Sequence, residues 1–408
     1  MKLLILTQYF PPEVGAPQNR LFELALRLKN EGVDITVLTA MPNYPQMEIH
    51  ADYVGKSYVK EEMSGMTVHR TKIYATKEKG IVKRLRNYFS FVRSSYKFGK
   101  KLESFDFILC ESPPLFLGYS AMKLSKKLNA KLIFNVSDLW PESAEKLGIV
   151  SNKFLLGRAY KLEAKCYRKA TLITGQTQGI VNNIEDRFPE KDVYWLPNGV
   201  DLSYYNPDEV PTGNFRKKMG FDSDDKIFFY GGIIGHAQGL ELILNCAANF
   251  KNNPKVKFVL LGNGPEKDGL LKLKEELCLE NVFFLDAVTK KDMPEIVKDI
   301  TCPIIPLKKL DLFLGAIPSK IFEALAMKKP ILLGVDGEAR DLFIEEGKAG
   351  LYFEPENVSE LTNQIHKIVE DENLYNELAE NARRYVDLKF NRNNIAAGFY
   401  QKLKSIHE

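Results

Sequence analysis

A chain of 408 residues, 45% hydrophobic and 27% charged, has room for two ordinary domains and enough apolar content to give each a core. That excludes a disordered or low-complexity protein. The formal charge of +4 is too mild for a general nucleic-acid binder, but it is unevenly spread: residues 1–200 hold 30 basic and 20 acidic side chains, so the first half faces something anionic.

Met1–Leu6 superficially resembles a signal peptide, yet the run ends at Thr7-Gln8 without a small-residue cleavage site and reads as a first strand. Further strands are predicted at Asp34–Thr39, Met66–Arg70, Asp106–Cys110, Lys131–Val136, Thr171–Thr174 and Val193–Leu196. Leu21, Leu24, Ala25 and Leu28 place a helix over Asn19–Glu31, stopped by Gly32. The rhythm resumes with strands at Lys226–Tyr230, Val256–Leu261, Asn281–Leu285, Thr301–Pro306, Pro330–Gly334 and Gly350–Phe353, with helices at Leu240–Phe250, Ser319–Met327 and about 391–406. Apolar strands alternating with helices mean covered parallel sheets. Two series give an α/β chain of two Rossmann-like doubly wound domains facing each other across a cleft, with the link near Pro197–Asp201. No stretch approaches the roughly 18 apolar residues of a membrane-crossing helix. Five cysteines without a CxxC pair argue against a disulfide framework or zinc site and fit a reducing cytoplasm.

Ligands of open α/β sheets bind beyond the carboxyl ends of the strands, and several segments there carry chemistry. Gly15, after the first strand, is either a close-approach point for an anion at a helix start or part of an ordinary turn. Gly231, Gly232, Gly235 and Gly239 follow the first strand of the second series and form a backbone nest for a diphosphate. Gly262 and Gly264 share that strand-end face. Pro318-Ser319-Lys320 opens a helix whose Lys320 would neutralise a phosphate and whose Glu323 would accept hydrogen bonds from ribose hydroxyls; a capped surface helix is the alternative. Neither a dinucleotide fingerprint nor a GxxxxGK[ST] loop is present.

Asp138 ends the strand Lys131–Val136 as a carboxylate for sugar hydroxyls or a cap for the turn at Pro141, with Trp140 and Glu142 beside it to stack on and bond a sugar. Lys77–Lys101 holds nine Lys or Arg and one Glu, interleaved with Ile81, Leu85, Phe89 and other apolar residues. Such a helix suits an anionic membrane surface, through Lys83, Arg84, Arg86, Phe89 and Arg93, or packs on its own sheet. No nucleic-acid module accompanies it. Asp222-Ser223-Asp224-Asp225 fits a DxD metal pattern but precedes a strand, where a plain turn is expected, and the five histidines have no ligand spacing, so no metal and no cofactor is called for.

Gln8–Glu13 with Gly15-Ala16-Pro17, Pro42–Pro45, Asp138–Ser143, Pro197–Asp201, Gly235–Leu240 and Pro318–Lys320 together resemble glycosyltransferase family 4 of the GT-B fold, near its bacterial fucosamine and N-acetylhexosamine transferase branch. The resemblance implies a retaining transfer from a nucleotide-diphosphate sugar. It assigns residues 1–200 to the acceptor, with a terminal helix at about 391–408 packing back onto them, and residues 201–390 to the nucleotide sugar. Lys320, Glu323 and Asp138 would be the catalytic residues. Gly15, Gly232, Gly235, His236, Gln238, Gly262, Gly264 and Ser319 would join Lys320 and Glu323 around the donor, with Glu142, Trp140 and Asn198 on the acceptor side.

Two departures stand out. Gly315 replaces the first glutamate of the family's paired glutamates, and Gly232 and Gln238 stand where an Arg and a Lys often hold the diphosphate. The chain is expected to move an N-acetylated or deoxy hexose from a UDP-sugar to a polyprenyl-diphosphate-linked saccharide, peripherally on the inner face of the plasma membrane. A UDP-sugar epimerase and an inactive membrane-docked scaffold are the alternatives, with an oxidoreductase more distant.

Overall fold

A computed structural model describes every residue except Val14, Lys79, Leu147 and Ile149, together with the side chain of Ala16. The chain divides into two units, Met1–Asn198 with Ile395–Glu408, and Gly199–Asn394.

The first unit carries β1 (Lys2–Leu6), β2 (Asp34–Ala40), β3 (Tyr58–Met63), β4 (Met66–Thr71), β5 (Phe107–Ser112), β6 (Lys131–Val136), β7 (Leu172–Gly175) and β8 (Val193–Trp195) in one sheet of order β3-β4-β2-β1-β5-β6-β7-β8. Its helices are α1 (Ala16–Asn30), α2 (Ile81–Gly99), α3 (Gly118–Leu128), α4 (Glu142–Lys146), α5 (Lys153–Lys169) and α6 (Gln178–Arg187). Leu21, Ala25 and Leu28 of α1 pack with Leu3, Ile5 and Phe107 on one face. The same cluster takes in Ala396, Phe399 and Leu403 of the C-terminal helix (Arg392–His407), so the end of the chain completes the core laid down by its beginning. Phe91, Leu124, Leu162 and Tyr167 cover the other face.

Among the described residues all strand pairs run parallel but one. β3 is antiparallel to β4 at the sheet edge, and the sequence pattern missed it. Its residues YVKEEM alternate only between exposed and half-buried, because an edge strand is protected from further pairing by charge rather than marked by hydrophobicity. Ser64 and Gly65, at φ 52 and 72, make the two-residue turn that a tight hairpin needs.

The second unit carries β9 (Lys226–Gly231), β10 (Val256–Leu261), β11 (Val282–Leu285), β12 (Cys302–Pro306), β13 (Ile331–Gly334) and β14 (Gly350–Tyr352), all parallel, in the order β11-β10-β9-β12-β13-β14. Between them lie α7 (Asn214–Met219, ahead of β9), α8 (Glu241–Ala248), α9 (Lys267–Glu276), α10 (Met293–Asp299) and α11 (Lys320–Ala326). In each sheet the strand order turns about a central strand, β1 beside β5 and β9 beside β12. Those are the switch points where doubly wound sheets open a crevice.

Candidate active site

In the second unit the switch point is occupied by the glycine-rich loop after β9. An ideal Cβ on Gly262 would lie 1.8 Å from the Gly232 carbonyl oxygen, and one on Gly264 would lie 2.1 Å from that of Ile234. Only glycine lets the two loops meet backbone to backbone. Once met, the Gly232 amide donates to Leu261 O (2.9 Å) and the Ile234 amide to Asn263 O (3.0 Å). Gly262 and Gly264 thus shape the cradle by close packing, and the amides of Gly232 and Ile234 are already used within it. Among the described residues the amides of Ile233 and Gly235 make no intramolecular hydrogen bond, which leaves them for an anion.

Lys320 opens α11 and reaches this loop. Its Nζ is 3.0 Å from the point where a Gly232 side chain would begin, and it stands 3.9 Å from the centre of the Tyr230 ring. The Tyr230 hydroxyl is anchored in turn, donating to Ile233 O at 2.6 Å. Burial lowers the Lys320 pKa to about 8, and the negative field of Glu323 opposes that fall. No carboxylate among the described residues pairs with it. Glu323, one turn along, is half-buried, and burial raises its pKa against the pull of the Tyr205 phenol, Lys290, Arg392 and Lys320. A carboxylate flanked by several donors suits vicinal hydroxyls. Ser319 is exposed and caps nothing.

The Lys308 ammonium, on the loop after β12, sits 3.2 Å from both ring nitrogens of His236, which brings a second lysine to this loop. The Lys308 amide is fixed to Ala237 O at 2.9 Å. Gln238 is half-buried in the same turn. Gly315 is exposed, with nothing within 4 Å of a Cβ built there, so sterics do not explain the missing glutamate.

The first unit holds a separate feature, a groove of about 870 Å³ lined by α2, α5 and the loops between them. Ile81, Leu85, Tyr88 and Phe89 come from α2, Phe116 from the loop after β5, Trp140 and Asp138 from the turn after β6, and Leu155, Arg158 and Ala159 from α5. Phe116 meets Phe89 at 4.9 Å and Trp140 at 5.3 Å between ring centres. Asp138 accepts a hydrogen bond from the Ser143 hydroxyl, which orients it at the groove wall.

Residues 18–204 match Glycosyltransferase Family 4, and residues 212–385 match Glycosyl transferases group 1. The chain is a glycosyltransferase of the GT-B fold. A protein of Escherichia coli (strain K12), named for colanic acid biosynthesis as glycosyl transferase WcaI, is 24% identical over 99% of this chain and 100% of its own length. The N,N'-diacetylbacillosaminyl-diphospho-undecaprenol alpha-1,3-N-acetylgalactosaminyltransferase of Campylobacter jejuni is 24% identical over 60% of this chain and 62% of its own. Among solved structures, Anabaena HepE in complex with UDP and glucose superposes with a TM-score of 0.70 at 19% identity, covering 99% of this chain and 100% of that one.

The remaining expected residues of the glycosyltransferase belong to the first unit. Gly15 belongs to the first unit, where it precedes α1 and its carbonyl accepts from the Asn19 amide at 3.0 Å. Glu142 is paired with Lys146 at 2.7 Å and does not line the groove, unlike Asp138 and Trp140. Asn198 is the last residue of the first unit. On α2, Lys83 is paired with Glu78 at 3.0 Å, the Arg86 guanidinium lies 4.1 Å from the Tyr74 ring centre, and Phe89 leans on Phe116, while Arg84 and Arg93 are exposed. The Asp222–Asp225 carboxylates lie within 4.8 Å of one another, but Lys255 bridges Asp222 and Asp224 at 3.3 and 2.9 Å. That cluster precedes β9, at the opposite end of the sheet from the glycine loop. No helix of the described residues is long and apolar enough to cross a membrane.

Two buried clusters escaped the sequence reading. Glu13 accepts from the amides of Phe10 (3.1 Å), Asn43 (2.8 Å) and Tyr44 (2.9 Å), which ties together the loops after β1 and β2. Burial raises its pKa nonetheless. Arg20 on α1 donates to Glu111 at the end of β5 (2.8 Å) and to Ser137 (2.8 Å), and Asn135 also donates to Glu111. Both acids sit in elements that read as apolar or as turns, and only the fold supplies their partners.

Proposed function

We propose that the enzyme transfers a hexose, N-acetylated or deoxy, from a UDP-sugar to a polyprenyl-diphosphate-linked saccharide in polysaccharide assembly, with retention at the anomeric carbon. The observation that carries the donor half is Lys320. Among the described residues it is a cation without an ion-pair partner, held over Tyr230 and against Gly232, at the switch point where a doubly wound sheet takes a nucleotide. Lys320 and Lys308 would bind the diphosphate with the Ile233 and Gly235 amides, and Glu323 would hold the ribose. As the glycosidic bond breaks, negative charge grows on the departing phosphate, and these groups are placed to stabilise it. With Gly315 in place of a glutamate, that stabilisation is the main catalytic device, and the leaving phosphate oxygen can itself take the acceptor proton. No metal is needed in this scheme.

UDP is favoured as carrier by the UDP complex of HepE, and a lipid-linked acceptor by the diphospho-undecaprenol substrate named for the Campylobacter relative. The exposed apolar residues Ile81, Val82, Phe154 and Leu155, beside basic Arg84 and Arg158, suit peripheral attachment to an anionic cytoplasmic membrane face. Incubation with a panel of UDP-sugars and a polyprenyl-diphosphate saccharide, followed by nuclear magnetic resonance of the product, tests the reading. An α-linked product from an α-donor is expected. Conversion of the donor to another free sugar nucleotide would establish the epimerase instead, and no binding of any nucleotide sugar the scaffold.

A further inference from the structure

The groove of the first unit has a composition that a sugar does not explain. Helix α2 carries two stripes. Asn87, Phe91, Ser95 and Gly99 are buried in the unit, while Ile81, Leu85 and Phe89, again four residues apart, line the groove with Arg84 and Tyr88. Side chains so spaced share one helix face, so one stripe serves the core and the other serves a ligand. Opposite them stand Leu155, Leu156, Ala159 and Leu162 of α5, with Phe116 and Trp140 closing the end. At about 870 Å³ the groove falls within the roughly 300–1,000 Å³ of small-molecule sites. Yet its walls are mostly aliphatic and aromatic, with Asp138, Ser143 and tyrosine hydroxyls as the neutral or anionic polar groups, where a saccharide would ask for a denser set of polar partners.

Two cations interrupt those walls. Arg84 donates to the Tyr88 hydroxyl at 3.0 Å, and the Arg158 guanidinium lies 5.4 Å from the Phe154 ring centre. Neither has a carboxylate within ion-pair distance among the described residues. Largely apolar walls with two guanidiniums against the single carboxylate of Asp138 complement an amphiphile with a compact, multiply charged anionic head. Guanidinium is the side-chain group best shaped for phosphate oxygens.

We propose that this groove binds the first isoprene units of a polyprenyl diphosphate, with Arg84 and Arg158 on its diphosphate, so that the proximal chain leaves the bilayer and lies in the protein. The proposal rests on the reading of a lipid-linked acceptor and deepens it: the lipid is recognised by the enzyme, not merely tolerated as an anchor. Leu85 and Trp140 become residues that select the carrier.

Trp140 is one of two tryptophans in the chain, so its emission reports occupancy of the groove directly. The full-length protein is titrated with geranylgeranyl diphosphate, with Trp140→Phe identifying the signal. A saturable change in emission is expected. It should weaken at least tenfold in Arg84→Gln/Arg158→Gln and in Leu85→Glu, all at exposed or half-buried positions, with UDP affinity unchanged within twofold as evidence that the fold is intact. Geranylgeraniol, lacking the head, and inorganic pyrophosphate, lacking the tail, should each bind at least tenfold more weakly. Equal response to all three ligands, or affinity unaltered by the variants, would overturn the proposal. So would capture of anionic phospholipid vesicles by these residues without saturable binding of the diphosphate, which would make the patch a membrane anchor alone. Transfer to a saccharide diphosphate that carries no isoprene unit, as efficient as to the polyprenyl one, would also overturn it while leaving the proposed reaction standing; loss of all transfer with geranylgeranyl diphosphate still bound would overturn the reaction and spare the groove.

Discussion

The Lys320 ammonium stands 3.9 Å from the centre of the Tyr230 ring and meets no carboxylate among the described residues, although Glu323 is one helical turn away. A cation held by an aromatic face is positioned without being neutralised, so its charge remains available to a ligand. Burial lowers its pKa to about 8. Below that value the free site carries its positive charge; above it, the charge is lost.

UDP affinity should therefore be flat near neutrality and fall about tenfold per pH unit above pH 8, until the higher pKa of the complex is reached, since bound diphosphate favours the protonated amine. Titrations at several pH values check this, and Lys320→Arg should move the decline beyond the accessible range. Glu323, whose pKa is raised by burial, should produce a second decline on the acid side, starting at higher pH than for an ordinary carboxylate. The folding linkage has its own sign. A lysine whose folded pKa lies below its unfolded value binds fewer protons in the native state, so stability rises as pH increases from about 8 toward 10.5.

Replacing Lys308 by Ala removes the charge beside His236 and should weaken UDP binding about tenfold, within the range for a charge-assisted hydrogen bond. His236→Ala, which removes only the acceptor of that ammonium, should cost less. Isothermal titration calorimetry orders the two.

Gly262→Ala would drive a methyl group into the Gly232 carbonyl. The loops must separate, and both stability and UDP affinity should fall, stability by about 1–3 kcal/mol. Ala at Gly315, in open space, should leave the melting temperature unchanged. Thermal unfolding with and without UDP separates the two positions.

Arg20→Ala leaves the Glu111 carboxylate buried without its cation and should cost about 3–5 kcal/mol. Phe399→Ala, deep in the core of the first unit, should cost a similar amount through its cavity. Denaturant melts of each variant measure these losses, and UDP affinity of the folded fraction should be little changed, because both residues lie in the first unit.

Most strands were legible because a buried parallel strand is an apolar run of fixed length, and Lys2–Leu6 or Val256–Leu261 can be read by eye. β3 was not, because an edge strand with charged alternation carries no such signal. The glycine loop was legible as a loop, but its division of labour was not: whether Gly262 offers an amide or merely makes room depends on the Gly232 carbonyl, 1.8 Å from where a Gly262 Cβ would lie. Lys308 follows β12 without a motif, and only the adjacency of β9 and β12 brings it to His236. The apolar groove is drawn from residues near 85, 116, 140 and 158, and no local pattern joins them.

The central claim is that the second unit binds a nucleoside diphosphate through Lys320. Calorimetric titration of UDP into the wild-type protein and into Lys320→Ala at pH 7 tests it most directly. A one-to-one complex weakened about tenfold to a hundredfold by the substitution is the predicted result, and equal affinities in the two proteins, or no heat of binding in either, would contradict it.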